Sequence, residues 1–86
     1  MITTSRYASN LTRKFAKIVS NLFSSRYFSR GKKTIDELAV FSRKIGDERI
    51  VVIKEKDGKP TLFDIIEVRE NSIWSWLESV GISYEE

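Results

Sequence analysis

The sequence predicts an α/β fold: a mixed four-stranded sheet with three helices in the order β-α-β-α-β-β-α. Three observations carry that expectation. Ile50–Ile53 is a run of four β-branched residues, the mark of a central strand buried on both faces. Leu11, Phe15, Ile18, Val19, Leu22 and Phe23 recur at helical spacing and form one apolar stripe. Thr34-Ile35-Asp36-Glu37 is a capping box, with Thr34 as N-cap and Glu37 at the third helical position.

The remaining elements follow in order. Met1–Ser5 contains the β-prone Ile2, Thr3 and Thr4 and reads as a first strand. Ser9 or Asn10 caps the first helix, and Arg13, Lys14 and Lys17 project from the side opposite its stripe. Ser24-Ser25 ends the periodicity, and Arg26–Ser29, with Tyr27 and Phe28, reads as a second short strand before the basic turn Gly31-Lys32-Lys33. The second helix buries Ile35, Leu38, Ala39, Phe41 and Ile45 and stops at Gly46. Asp57-Gly58 predicts a hairpin turn, and Leu62–Val68 is the strand after it, with Pro60 near its start. Asn71 or Ser72 then caps a third helix, Ile73 to Val80, ended by Gly81. Right-handed crossovers would make the first three strands largely parallel, with an antiparallel hairpin partner.

Composition narrows function before any motif is considered. A chain of 86 residues makes one small domain, 1–86, with a modest core. No apolar run approaches the roughly 18 residues that span a bilayer, so a cytoplasmic protein is expected, or a nucleolar one in a eukaryotic source. There is no Cys and no His. Thiolate metal sites and Cys nucleophiles are thereby excluded, and the usual general base near neutral pH is missing. Glu55, Asp57, Asp64, Glu67 and Glu70 read as outward residues of a polar hairpin, not as a catalytic pair. The chain is expected to be no enzyme and to need no cofactor or metal.

Charge is distributed unevenly. Residues 1–33 hold eight basic side chains and no acidic one, whereas residues 34–86 hold the other seven basic and all twelve acidic residues. Such asymmetry points to a polyanion met by the N-terminal part. An Arg- and Ser-rich, acid-poor N-terminus is also the composition of a mitochondrial transit peptide; the placement of this segment within the predicted fold argues for the first reading.

Two clusters concentrate the cations. Ser5, Arg6, Thr12, Arg13, Lys14 and Lys17 lie around one strand-to-helix edge, where backbone N–H groups favour an anion such as phosphate. Tyr27, Arg30, Lys32 and Lys33 interleave aromatics with cations, which suits stacking on unpaired bases beside held phosphates. The competing readings are a solvated basic helix face and a core aromatic strand ended by an exposed turn. No Gly-rich nucleotide loop is present. Trp74, Trp76 and Leu77 in the third predicted helix are candidates for a partner interface, with wrapping round a core edge as the alternative.

These residues also carry a family resemblance. Thr3-Thr4-Ser5-Arg6-Tyr7-Ala8-Ser9-Asn10-Leu11-Thr12-Arg13-Lys14-Phe15 resembles the opening motif of Brix-domain proteins, T-S-R-x-P-S-x-x-T-R-x-F. Arg26-Tyr27-Phe28-Ser29-Arg30-Gly31-Lys32 resembles the family's R-Y-x-x-R-G-K. Ala8 stands where the pattern has Pro, leaving the entry to the helix less rigid. The resemblance runs to roughly residue 70, is most like the archaeal branch, and implies a fold similar to the anticodon-binding domain of class II tRNA synthetases. It also implies a non-catalytic role in ribosome biogenesis: binding rRNA or its precursor and aiding processing and subunit assembly. By length the chain resembles the N-terminal half of such a domain. Two copies, or this chain and a related half-domain, are then expected to pair through the Trp74/Trp76 element. The alternative is an interaction module, or remnant of such a domain, that docks through that element without binding RNA itself.

Overall fold

The computed structural model describes residues 1–83, and it is a four-stranded sheet with one helix on each face. The elements are β1 (Ile2–Thr4), α1 (Asn10–Leu22), α2 (Ile35–Lys44), β2 (Arg49–Lys56), β3 (Lys59–Val68) and β4 (Trp74–Gly81). They lie in the sheet order β1-β2-β3-β4, with β1 parallel to β2 and the other neighbours antiparallel.

The branched run in β2 behaves as its composition requires. Ile50 and Val52 join Leu38 and Ala39 of α2 in one core cluster, together with Ile66 and Val68 of β3. Ile53, one position out of phase, joins Ala16 and Val19 of α1 and Ile2 of β1 in the other. Asp57 and Gly58 both have positive φ, 53° and 76°, the conformation a two-residue hairpin turn demands. The Thr34 capping box is complete in both directions.

Two expectations are corrected. The third helix is absent, because the segment assigned to it is β4. Ser72 does not cap a helix. It takes φ +63° and closes a turn in which the Arg69 N–H donates to the Ile73 carbonyl at 2.8 Å. Asn and Ser serve turns as readily as caps, and the two-residue spacing of Trp74 and Trp76 is a strand's period. Their rings meet edge to face at 5.7 Å. The expected strand over Arg26–Ser29 is the second correction: it reduces to one parallel bridge between Tyr27 and Ile2. Side chains take over beyond the bridge. The Thr3 hydroxyl donates to the Phe28 carbonyl at 2.6 Å, and Arg30 Nη1 donates to the Thr4 carbonyl at 3.0 Å. The strand directions follow the expectation: the Tyr27 bridge and β2 both run parallel to β1, and β3 is the antiparallel hairpin partner of β2.

Helix α1 buries only one edge of the predicted stripe: Val19 is buried and Phe15 packs on the same core. Its buried positions are Thr12, Ala16, Val19 and Ser20. Small side chains at Thr12, Ala16 and Ser20, four apart, let the helix lie close on the sheet. The stripe residues Ile18, Leu22 and Phe23 stay 58%, 75% and 72% exposed.

Candidate nucleic-acid interface

The two basic clusters meet because β1 carries one at its end and binds the other along its edge. Ile2 donates to Arg26 and accepts from Phe28 through its backbone, at 2.8 and 2.9 Å, which fixes residues 26–28 beside β1. The loop leaving β1 then faces the turn leaving Arg30. Between them is a cavity of about 260 Å³ lined by Thr4, Ser5, Tyr7, Arg13, Arg30 and Lys32, among others. A second cleft of about 290 Å³ adjoins it, lined by Asn10, Arg13, Lys14, Lys17, Tyr27 and Ser29. The two share Arg13 and Ser29, and neither is lined by an acidic residue among the described residues.

The loop between β1 and α1 is anchored at both ends. The Ser5 N–H donates to the Ile53 carbonyl at 3.0 Å. Ser9 caps α1 by accepting from the Thr12 N–H, and its own N–H and hydroxyl donate to the Glu55 carboxylate at 3.1 and 2.9 Å. The Thr12 hydroxyl donates to the same carboxylate at 2.5 Å. Thr12 is wholly buried, so its hydroxyl positions the helix and lines no surface; its expected place among the contact residues is corrected on this ground.

Glu55 is therefore a structural acceptor reaching α1 from β2. Burial alone would raise its carboxyl, but hydrogen bonds from the Thr12 hydroxyl and from the Ser9 N–H and hydroxyl outweigh it, leaving Glu55 below its ordinary value. Asp64 has the same balance: burial raises it, and Lys54 at 2.7 Å with the Ser79 hydroxyl at 2.5 Å brings it below. Both groups bind protons more readily unfolded than folded. Stability should be full above the unfolded carboxylate range, about pH 4–4.5, and fall as pH drops through and below it. Thermal unfolding followed from pH 6 to 2 checks this, and Glu55→Gln should flatten the acid limb.

Arg30 also sits differently from expectation. It is only 7% exposed, with Nε donating to the Lys33 carbonyl at 2.6 Å and Nη1 to Thr4. Burial lowers its pKa, and the positive charge of Arg6 lowers it further. A guanidinium buried among carbonyls, with a second arginine near and no carboxylate paired to it, is an electrostatic debt that an anion would settle. Among the described residues the ion pairs are Lys54–Asp64 and the Met1 amine with Asp47; none of the eight basic side chains of residues 1–33 takes part in one.

Of the other expected contacts, Arg6, Arg13, Lys14, Lys17, Lys32 and Lys33 are all exposed. Tyr27 is half-buried beneath Lys17, whose Nζ lies 5.7 Å from the ring centre. The Phe28 ring packs on Phe41 at 4.4 Å and belongs to the core. Tyr7, Asn10 and Ser29 line the site without having been singled out by sequence; each lies inside one of the two quoted motifs. On β4, Trp74 packs against the α2-side core and its indole N–H donates to Asp36 at 2.6 Å, while Trp76 and Leu77 are exposed.

No family model matches the chain. It is similar to a probable Brix domain-containing ribosomal biogenesis protein of Archaeoglobus fulgidus, 33% identical over 73 residues, which cover 85% of this chain and 44% of that protein. A protein of the same description from Pyrococcus abyssi is 36% identical over 78 residues, covering 90% of this chain and 34% of its own length. Among solved structures, a probable ribosomal biogenesis protein of Aeropyrum pernix superposes with a TM-score of 0.84 at 29% identity over 96% of this chain and 47% of that one. Mil, an archaeal Imp4-like protein, does so with 0.72 at 27% identity over 85% and 45%. The chain thus spans less than half the length of each of these relatives. By sequence and by fold it is similar to a part of the archaeal Brix-domain ribosomal biogenesis proteins.

Proposed function

We propose that the chain is a non-catalytic RNA-binding unit acting in ribosome biogenesis, and that the basic surface of α1 and the Arg30–Lys33 turn is where it meets rRNA or its precursor. One observation carries the reading: Arg13, Lys14, Lys17 and Lys32, cations with no ion pair among the described residues, line two adjoining clefts with no acidic residue among the described lining, beside the buried Arg30. A fold that leaves such a surface uncompensated is built for a polyanion. Arg6, Arg13, Lys14, Lys17, Lys32 and Lys33 hold phosphates in this reading, Ser5 lines the phosphate cavity, and Tyr27 offers a ring edge under Lys17. The relatives' description as ribosomal biogenesis proteins supports ribosomal RNA as that polyanion and the cytoplasm as the place of action. With about four phosphates engaged on single-stranded RNA, log affinity should fall against log salt with a slope of roughly −3. A flat salt response overturns the electrostatic mechanism.

A second reading is favoured by β4, the open edge of the sheet, whose Trp76, Leu77 and Val80 are 50%, 43% and 42% exposed. An eight-residue edge strand with apolar side chains is a template for pairing. Residues 1–83 would then form one half-unit of a larger assembly, with β4 joined to β4 of a second copy or to a related half-domain across a two-fold axis. Sedimentation at tens of micromolar should report a dimer that Leu77→Lys dissociates. A wild-type monomer under those conditions overturns pairing between copies.

A further inference from the structure

We propose that Tyr7 is the base-stacking residue of this interface, holding one unpaired nucleobase of single-stranded RNA beside a phosphate seated among Arg13, Arg30 and Lys32. The inference rests on the RNA-binding reading above and adds to it a nucleobase subsite.

Tyr7 is 75% exposed, more than any other aromatic among the described residues. It lines the same cavity as Arg13, Arg30 and Lys32. Its φ of +58° is left-handed, a region that aromatic residues rarely adopt. A backbone held there by its surroundings marks a position where strain accompanies function. The surroundings here are explicit. Ser5 is pinned to Ile53 by its N–H, and Ser9 is pinned to Glu55 by its own N–H at 3.1 Å. Only Arg6, Tyr7 and Ala8 lie between those anchors, so the ring is presented by a loop already ordered before any ligand arrives.

The other aromatic rings of the basic region are engaged. Phe28 lies against Phe41 with Lys33 above it, and Tyr27 packs on the α1-side core with Lys17 above it. Phe23 and Trp76 are exposed, but neither lines the basic clefts. Among the described aromatics, Tyr7 alone combines a free ring with the cations of these clefts, the pairing of stacking surface and phosphate contacts through which proteins bind unpaired nucleotides. A duplex keeps its bases stacked on one another and offers this ring nothing.

The test compares wild type with Tyr7→Asn, which removes the ring while suiting the left-handed backbone, and Tyr7→Phe, which keeps it. Binding of a labelled short single-stranded RNA and of its duplex is followed by fluorescence anisotropy. Tyr7→Asn should weaken single-strand binding about 5- to 100-fold and leave duplex binding within about twofold; Tyr7→Phe should bind both as wild type does. Replacing one nucleotide by an abasic site should cost wild type affinity and cost Tyr7→Asn little. Equal single-strand affinity for wild type and Tyr7→Asn, or equal losses on both RNAs, overturns the stacking role alone. Wild type that binds neither RNA, or that binds a polyglutamate peptide more tightly than RNA, overturns the RNA reading with it.

Discussion

Replacing Arg13 and Lys17 together by glutamate should lower affinity for single-stranded RNA by about 100-fold near 0.1 M salt while leaving the unfolding temperature unchanged within about 2 °C. Both side chains are exposed, and neither is among the buried residues of α1. Arg13 has the larger share because it lines both clefts; its Nη2 already donates to the Asn10 side-chain Oδ1. Each lost phosphate contact removes about 0.7 of a counterion on a single strand, roughly a fivefold loss at this salt. The new carboxylates repel the same backbone and supply the remainder. The slope of log affinity against log salt should fall in parallel, from about −3 to about −1.5. Filter binding at several salt concentrations with circular dichroism melts reads both quantities. An unchanged slope would place the phosphates elsewhere, and a lowered melting point would make the loss a folding effect.

What could be seen in the sequence, and what could not, divides along a physical line. Features set by neighbouring residues were legible. Four branched residues in a row made β2 central, Thr34 and Glu37 made the start of α2, and Asp57-Gly58 made the hairpin. Features decided by a distant partner were not. Ser72 caps or turns according to whether its neighbours find a strand to pair with, and β3 provides one. The α1 stripe of large residues pointed to one face. Close approach to the sheet rotated the contact toward the small residues, keeping Val19 and Phe15 of the stripe on the core and leaving Ile18, Leu22 and Phe23 outside.

The candidate site divides in the same way. The cations were visible as a charge imbalance within one third of the chain. That the two clusters share a cavity depends on residues 26–28 lying along β1, a contact between segments more than twenty residues apart. Thr12 and Arg30 read as surface residues because hydroxyls and guanidiniums usually are. Their burial follows from acceptors supplied far away in sequence, Glu55 for one and Thr4 for the other. The two short motifs therefore mix outward-facing cations with inward-facing ties that hold them in place. No pattern confined to either motif distinguishes the two roles.

That mixture is testable at Arg30, where the tie and the charge reside in one side chain. Arg30→Met removes the donors to the Thr4 and Lys33 carbonyls at the same time. Relief of a buried charge offsets part of the loss, and the remaining cost should be about 2–3 kcal/mol, or roughly 10–20 °C in melting temperature for a chain of this size. RNA affinity measured well below that melting point should also fall, by about tenfold, because the turn bearing Lys32 and Lys33 is no longer fastened to β1. Arg30→Lys separates the contributions. A single ammonium retains the charge but cannot reach two carbonyls from a planar fork, so stability should remain low and affinity should recover only in part. If Arg30→Lys restores affinity fully while melting as low as Arg30→Met, the fastening of the turn is irrelevant to binding and charge alone matters. If both variants melt like wild type, the buried guanidinium is not the tie that joins the two halves of the site.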